Sequence, residues 1–302
     1  MTAAIEARGL EMRFGDRQVL HGLDLTVGRG EVLCLLGPNG AGKTTTVEIL
    51  AGFRKRTGGT VSVLGMDPGT APRNWRDRIG IVMQDCGIDD HLSVLEVMRL
   101  HHRYYSAPRP VAEVLELVEL ADISSQRVQM LSGGQQRRLD IALALNADPD
   151  LIFLDEPTTG LDPKSRRQTW EVFSNLRALG RTVLLTTHYL DEAQALADRI
   201  IVVAGGRIVA EGEPATLGGR DRHTATITFQ VEGNGEAVDT LRRRMADRRL
   251  IDGDRVTFDT PEPDRVLADM LSWSASTGVQ LHGLEVTRPS LEDTYLRLVE
   301  QE

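Results

Sequence analysis

Cysteine is scarce in this chain: of 302 residues only two are Cys, Cys34 inside an apolar run and Cys86 in a loop-like stretch far from it. Two such residues build neither a disulfide framework nor a cysteine metal site, and the pattern fits a reducing cytosol. Long apolar runs are missing too. Nowhere do about eighteen apolar residues follow one another, and the N-terminal MTAAIEARGL has no basic segment leading into an apolar one. The sequence therefore reads as neither membrane-spanning nor secreted through a standard signal. Positive charge is also in deficit. Lys and Arg number 35 against 44 Asp and Glu, a net charge of −9, which repels phosphate backbones and disfavours a dedicated nucleic-acid binder. Internal repeats, low-complexity tracts and a G-x-S-x-G nucleophile elbow are absent. His101 and His102 are adjacent, hence about 100° apart on a helix and poorly placed to share a metal.

What is present is an alternation of apolar strands and helical patterns. Glu31 to Leu36, Leu151 to Leu154, Thr182 to Thr186 and Arg199 to Val203 are runs of Val, Ile and Leu that predict buried strands of a largely parallel sheet. Ala4 to Phe14 and Val19 to Val27, joined at Gly15 and Asp16, predict antiparallel strands, with Thr60 to Leu64 as another. From Cys86 to Met130 the strand signal disappears. Ser93 and Glu96 stand at capping-box spacing before a helix running to about Tyr105, and a second helix starts at Pro110 with Val111, Val114, Leu115 and Val118 on one face. The expected fold is thus an α/β core with an antiparallel β-subdomain and a helical insertion over about 86–147. A composition shift at Gly212 to Arg222 sets a boundary. Residues 1–215 are expected to form the main domain and 222–302 a small α+β accessory domain. Its expected strands are Thr224 to Val231, Arg255 to Thr260 and Leu281 to Thr287. Its expected helices are Glu236 to Asp247, Pro263 to Ser276 and Ser290 to Val299, with Arg242 to Arg244, Arg248 and Arg249 on a solvated helix face.

Three motifs carry chemistry. GPNGAGKT, Gly37 to Thr44, matches G-x-x-x-x-G-K-[ST] between a strand and a helix, which makes the expected α/β core that of a P-loop NTPase. Gly37, Asn39, Gly40, Ala41 and Gly42 let consecutive backbone N–H groups turn inward at phosphate oxygens, while the helix N-terminus adds its positive dipole end. Lys43 supplies a point charge, Thr44 a hydroxyl for Mg²⁺ and Thr45 a donor to phosphate. LIFLDE, Leu151 to Glu156, is a strand ending in two acids, where the ligand site of a parallel sheet lies. Asp155 is expected to hold Mg²⁺ and Glu156 to act as general base on the attacking water. LSGGQ, Leu131 to Gln135, precedes a helix: the Ser132 hydroxyl and the Gly133 and Gly134 N–H groups form a second anion clamp. Ser132 alone reads equally well as a helix cap. With one side of the phosphates already taken, the clamp is expected to serve a nucleotide on another subunit.

Gly37 to Thr45, LSGGQ and LIFLDE in this order and spacing resemble the ATP-binding subunit of an ABC transporter over roughly residues 4 to 215. The resemblance implies ATP and Mg²⁺ as ligands and further roles at matching positions. Phe14 sits where the family stacks an aromatic, usually Tyr, on adenine. Gln84 matches the glutamine that reaches Mg²⁺ and the attacking water, Asp162 in GLDP the loop passing between subunits, and His188 the histidine that contacts the γ-phosphate. TTHYLDEA from Thr186 and PSLEDTYLRLVE from Pro289 are similar to the drug-export, daunorubicin-resistance type. The implied protein is an export ATPase that forms a head-to-tail homodimer and lies on the cytoplasmic face of the membrane. Its partner is a separate permease docked in a groove between the core and the Cys86 to Met130 helices, and its cargo a drug, antibiotic or lipid-like molecule. The accessory domain is expected to reinforce the dimer. The alternative is a soluble ABC-type ATPase acting on ribosomes or DNA, against which stand the single P-loop, the lack of long heptads and the acidic balance.

Overall fold

The structure, a computed structural model, describes residues 3–83, 87–217, 225–232, 249–252, 255–287 and 291–300. Gln84 and Cys86 lie outside the described residues, as do the expected helix Glu236 to Asp247 and Arg242 to Arg244 and Arg248. The chain divides into two compact units, Met1–Pro214 with Val299–Glu302, and Ala215–Leu298.

The first unit opens with a hairpin of β1 (Ala3–Phe14) and β2 (Arg17–Gly28), turning at Gly15 and Asp16. Ile5, Ala7, Leu10 and Met12 of one strand and Leu20, Leu23, Leu25 and Val27 of the other are buried, which is the period-two burial of a sheet with one wet face. Next come β3 (Val32–Leu36), α1 (Lys43–Leu50) and β4 (Gly58–Val63), the last pairing with β1 to complete the antiparallel sheet β2-β1-β4. A short α2 (Arg73–Arg76) leads to β5 (Ile79–Val82).

The helical insertion contains α3 (Val94–His102), α4 (Val111–Leu117) and α5 (Gly133–Leu145). Ser93 and Glu96 form both bonds of the expected capping box. The helix they start ends at His102, about a turn before the expected Tyr105. There Arg103 and Tyr104 donate to carbonyls three residues back, Leu100 and His101, so the chain tightens and leaves the α-helical path.

The core sheet is completed by β6 (Leu151–Asp155), α6 (Pro163–Ala178), β7 (Thr182–Thr187), α7 (Leu190–Leu196), β8 (Arg199–Ala204) and β9 (Arg207–Gly212). Its order is β5-β6-β7-β3-β8-β9, parallel except for β9. Every residue of β3, β6 and β7 is buried, which accounts for their unbroken apolar reading. Helix α1 packs on β6, α5 on β5, and α7 on β3 and β7. The edge strand β9 was not expected: its residues are half-exposed or exposed, so no apolar run marks it.

The second unit holds β10 (Ala225–Glu232), β11 (Arg249–Asp252), β12 (Arg255–Thr260), α8 (Pro263–Thr277), β13 (Gln280–Thr287) and all but the end of α9 (Leu291–Glu300). The strands form an antiparallel sheet β11-β12-β10-β13, and the four-residue β11 is again an element that the sequence does not announce. Ile227, Phe229, Val256, Phe258, Met270, Trp273 and Val279 make its own small core, with the two Phe rings edge to face at 6.4 Å.

The strand that ends in the two acids is paired on both edges, with β5 and β7, and Phe153 at its centre is fully buried. Phe153→Ala should destabilise the first unit by about 3–5 kcal/mol through lost burial and a cavity. A urea-unfolding midpoint unchanged from the parent would contradict this packing role.

Candidate active site

Three adjacent strands, β6, β7 and β3, deliver their carboxyl ends to one edge, where a parallel sheet offers its ligand crevice. The turn from β3 into α1 carries the phosphate-binding motif. Gly42 caps α1 at φ 101°, and a Cβ there would lie 2.5 Å from Leu20 Cδ2, so both conformation and space require glycine. Lys43 follows as the first helical residue and is only 4% exposed. Its Nζ donates to the carbonyls of Gly37 (2.8 Å) and Pro38 (3.1 Å) and lies 3.2 Å from Glu156 Oε1.

Asp155 ends β6, 1% exposed, and its Oδ1 accepts from Thr186 of the neighbouring β7 (2.5 Å) and from Thr44 (3.3 Å). Its Oδ2 is sealed from solvent and has no hydrogen-bond partner. A buried carboxylate oxygen with nothing to accept, beside a P-loop hydroxyl, is the hard-oxygen donor set that suits Mg²⁺. These residues fit that ion.

Glu156 turns the chain away from the strand in the left-handed region, φ 44°, at a cost on the order of 1–3 kcal/mol for a residue with a side chain. The conformation is held by its own N–H, which donates to the Thr186 carbonyl (3.1 Å) and hydroxyl (3.0 Å). Its carboxylate lies between Lys43 on Oε1 and, on Oε2, the Thr159 hydroxyl (3.1 Å) and His188 Nδ1 (3.2 Å). Burial pushes this carboxyl upward. The Lys43 charge and hydrogen bond, with His188 and Thr159 behind them, outweigh it, so the group sits below the ordinary carboxylate value of 4.5. It is therefore ionised at neutral pH and able to accept a proton. His188 follows β7, with its ring centre 4.1 Å from that of Tyr189.

Phe14, Arg17, Val19, Asn39, Gly40, Gly42, Lys43, Thr44, Thr45, Glu156, Thr159 and His188 line one open cleft. Phe14 is 40% exposed, with the Arg54 guanidinium 4.7 Å from its ring centre. Arg17, Val19 and Thr159 join this lining without having been expected. Ser132, Gly133, Gly134, Gln135 and Asp162 do not line it. Ser132 caps α5 in a full capping box with Gln135, its N–H bonded to Gln135 Oε1 at 2.8 Å, and both Ser132 and Gly133 are exposed. Gly134 is buried against α6: a Cβ there would lie 2.7 Å from Ser165 Cβ. Asp162 caps α6, accepting from the N–H groups of Lys164 (2.9 Å) and Ser165 (3.0 Å). The cap reading of Ser132 thus holds in the fold, and the same geometry leaves the N-terminus of α5 facing out.

Sequence reasoning missed Arg137. From α5 its buried guanidinium donates to the carbonyls of Met83 (2.7 Å), Asp155 (3.1 Å), Glu156 (3.4 Å) and Pro157 (2.6 Å), supporting the acidic turn from behind. The one signal available was an arginine pair entering a helix whose next residues are apolar.

The ion pair makes a pH statement. A carboxyl lowered by folding contributes stability above its unfolded value, and loses it as pH falls through the lowered one. Lys43→Met removes the main attraction and leaves burial in place, so the Glu156 carboxyl should titrate at higher pH than in the parent. A ¹³C titration of that carboxyl tests this, and an unchanged midpoint would show that Lys43 does not hold it.

The ABC transporter family model matches residues 20–159, and a model for the C-terminal domain of ABC transporter domain-containing protein-like chains matches residues 225–290. The Nod factor export ATP-binding protein I of Cupriavidus pinatubonensis is 40% identical, over 100% of this chain and 92% of its own length. A daunorubicin resistance ATP-binding protein of Streptomyces coeruleorubidus is 39% identical, over 98% of this chain and 94% of its own. Among solved structures, a dimeric ATP-binding cassette in a post-hydrolysis state bound to ADP and Pi superposes with a TM-score of 0.62. It is 27% identical and is matched over 69% of this chain and 98% of that one.

Proposed function

The chain belongs to the ABC transporter family as an ATP-binding, ATP-hydrolysing subunit of export systems, and from that premise we propose how its residues divide the work. Cassettes of this family bind ATP and ADP, dimerise and work with membrane permease subunits. The observation that carries the mechanism is the ionised Glu156 carboxylate held between Lys43 and His188 at the lip of the cleft. In the proposed reaction ATP enters with its base against Phe14 and its phosphates on the loop from Gly37 to Thr45. A phosphate oxygen takes Lys43 from Glu156, which frees the carboxylate. A water attacks the γ-phosphorus, Glu156 accepts its proton, the bond to the bridging oxygen breaks, and ADP and phosphate leave. His188 donates toward the γ-phosphate. Asp155 and Thr44 would hold Mg²⁺, with Gln84 added by family resemblance, and the ion supplies charge neutralisation for the phosphates.

The site is completed by a second copy. Ser132, Gly133, Gly134 and Gln135 lie away from the chain's own cleft with α5's N-terminus outward, which supports their closing a γ-phosphate held by the partner copy, with Asp162 passing between the two. ATP then acts as adhesive between protomers, and its hydrolysis biases the pair to open. The permease is proposed to dock in the groove lined by Phe53, Ile88, His101, Tyr104, Tyr105 and Leu143, where the exposed rings of Phe53 and Tyr104 offer apolar contact. The protein so placed lies peripherally on the cytoplasmic face of the membrane. Among the described residues no helix is long and apolar enough to cross it. The cargo is proposed to be a drug, antibiotic or lipid-like molecule, in keeping with relatives named for daunorubicin resistance and Nod factor export. Those same names disfavour the ribosome- or DNA-directed alternative.

Glu156→Gln keeps the side chain's shape and removes its basicity. Turnover should fall by about 10²-fold or more while ATP still binds, and an ATP-dependent dimer should accumulate in sedimentation velocity. Hydrolysis at the parent rate would remove Glu156 from the role of general base.

A further inference from the structure

Four residues beyond His188, Glu192 points from α7 into the interior and is 0% exposed. Its Oε1 accepts two hydrogen bonds, from the hydroxyl of Thr158 (2.8 Å) and from the indole N–H of Trp170 (3.1 Å). Thr158 is itself 0% exposed and lies two residues after Glu156, and Trp170 belongs to α6, the helix that Asp162 caps. One buried oxygen therefore ties together the turn that carries Glu156, the helix that follows His188 and the helix that starts at Asp162. Nothing in the reaction as described uses this group.

A carboxyl is an expensive way to accept two hydrogen bonds in the interior. Its Oε2 is sealed from solvent without a well-formed hydrogen bond. Burial raises its pKa, against the opposing bonds from Thr187, Thr158 and Trp170 and the charge of Arg166. A merely structural tie could have been made with less cost. The surroundings show what it holds. A second tie joins the same two elements: the Arg166 guanidinium of α6 lies 4.1 Å from the ring centre of Tyr189, the residue stacked on His188, and 3.5 Å from Asp191. Thr187 accepts from the Tyr189 N–H at 3.0 Å, fixing the turn from the other side. Between these fixed points stand His188 Nδ1 and Glu156 Oε2, 3.2 Å apart.

We propose that Glu192 is a positioning residue for ATP hydrolysis: through Thr158 and Trp170 it locks the Glu156 turn, α6 and the His188 turn into the register at which Glu156 and His188 meet. The inference rests on the roles proposed above for those two residues. A nucleotide reaches the P-loop without touching this lock, so affinity for ATP does not depend on it, whereas the alignment of base and histidine does.

The test is a steady-state ATPase cycle on the full chain with Glu192→Leu, Glu192→Gln, His188→Ala and the double variant His188→Ala/Glu192→Leu. Glu192→Leu should lower kcat by about tenfold or more with KM for ATP within about twofold, since an interaction that acts only on alignment spares ground-state binding. Glu192→Gln keeps an acceptor for Thr158 and Trp170 and should stay within about threefold of the parent. In the His188→Ala background Glu192→Leu should cost less than it does in the parent, because residues acting through one another are non-additive. If Glu192→Leu does not fold, Thr158→Val, which deletes one donor at nearly constant volume, should reproduce the kcat loss at unchanged KM. An additive loss in the double variant, a KM rising in step with the kcat loss, or a Gln variant as impaired as Leu would each overturn the proposal. His188→Ala at the parent rate would overturn the role of His188 and this inference with it. An impaired His188→Ala beside a fully active Glu192→Leu would overturn this inference alone.

Discussion

The strand order β6-β7-β3 sets the carboxyl ends of three fully buried strands side by side, and each chemical group depends on which strand it leaves. The phosphate loop leaves β3, the two acids leave β6, and His188 leaves β7. Residues more than a hundred positions apart in sequence thereby come within hydrogen-bond reach, as Thr44 does with Asp155 and Lys43 with Glu156. A parallel sheet of this kind is built to be buried on both faces, so its one polar opening is the edge where strands turn into loops. Everything else supports that edge. Arg137 braces the acidic turn through four backbone carbonyls, and Glu192 ties that turn to α6 and α7.

The charges at this edge are poised against one another. Lys43 and Glu156 are both largely withdrawn from solvent, and removing one partner from such a buried pair costs on the order of 3–5 kcal/mol. In the proposed mechanism the same low exposure makes the pair responsive, because an incoming phosphate competes for Lys43 and changes the field that the carboxylate feels. Ground-state neutralisation and catalytic activation are, in that proposed mechanism, two settings of one ion pair. The strained φ of Glu156 belongs to the same account, since its N–H bonds to Thr186 fix the direction in which the carboxylate points.

Much of this was readable in the sequence for physical reasons. Strands buried on both faces must be apolar throughout, which made β3, β6 and β7 conspicuous, and a loop that wraps phosphate needs glycine where φ is positive, as at Gly42. Lys43, Asp155 and Glu156 could be named because each stands at the end of such a strand or loop, and His188 because it matches the histidine of the family that the motifs resemble. Elements that lack a dominant apolar side escaped: β9 is half-exposed along its length and β11 has four residues. Arg137 and Glu192 escaped for a different reason. Sequence spacing shows that a charged residue lies on a helix, but the interior partners that turn it inward, carbonyls in one case and Thr158 and Trp170 in the other, come from segments 18 or more positions away.

One chain nevertheless presents half of what the proposed chemistry requires. The cleft gathers Lys43, Thr44, Glu156 and His188, while Ser132, Gly133 and Asp162 sit on exposed helix starts that serve no group of their own chain's cleft. The central claim is that two copies complete each other. It is tested most directly by mixing Lys43→Ala chains with Ser132→Arg chains, each inactive alone, and measuring ATPase. The heterodimer contains one site with an intact Lys43 facing an intact Ser132, so activity should rise above that of either parent. Mixed dimers that form and stay as inactive as their parents would contradict it.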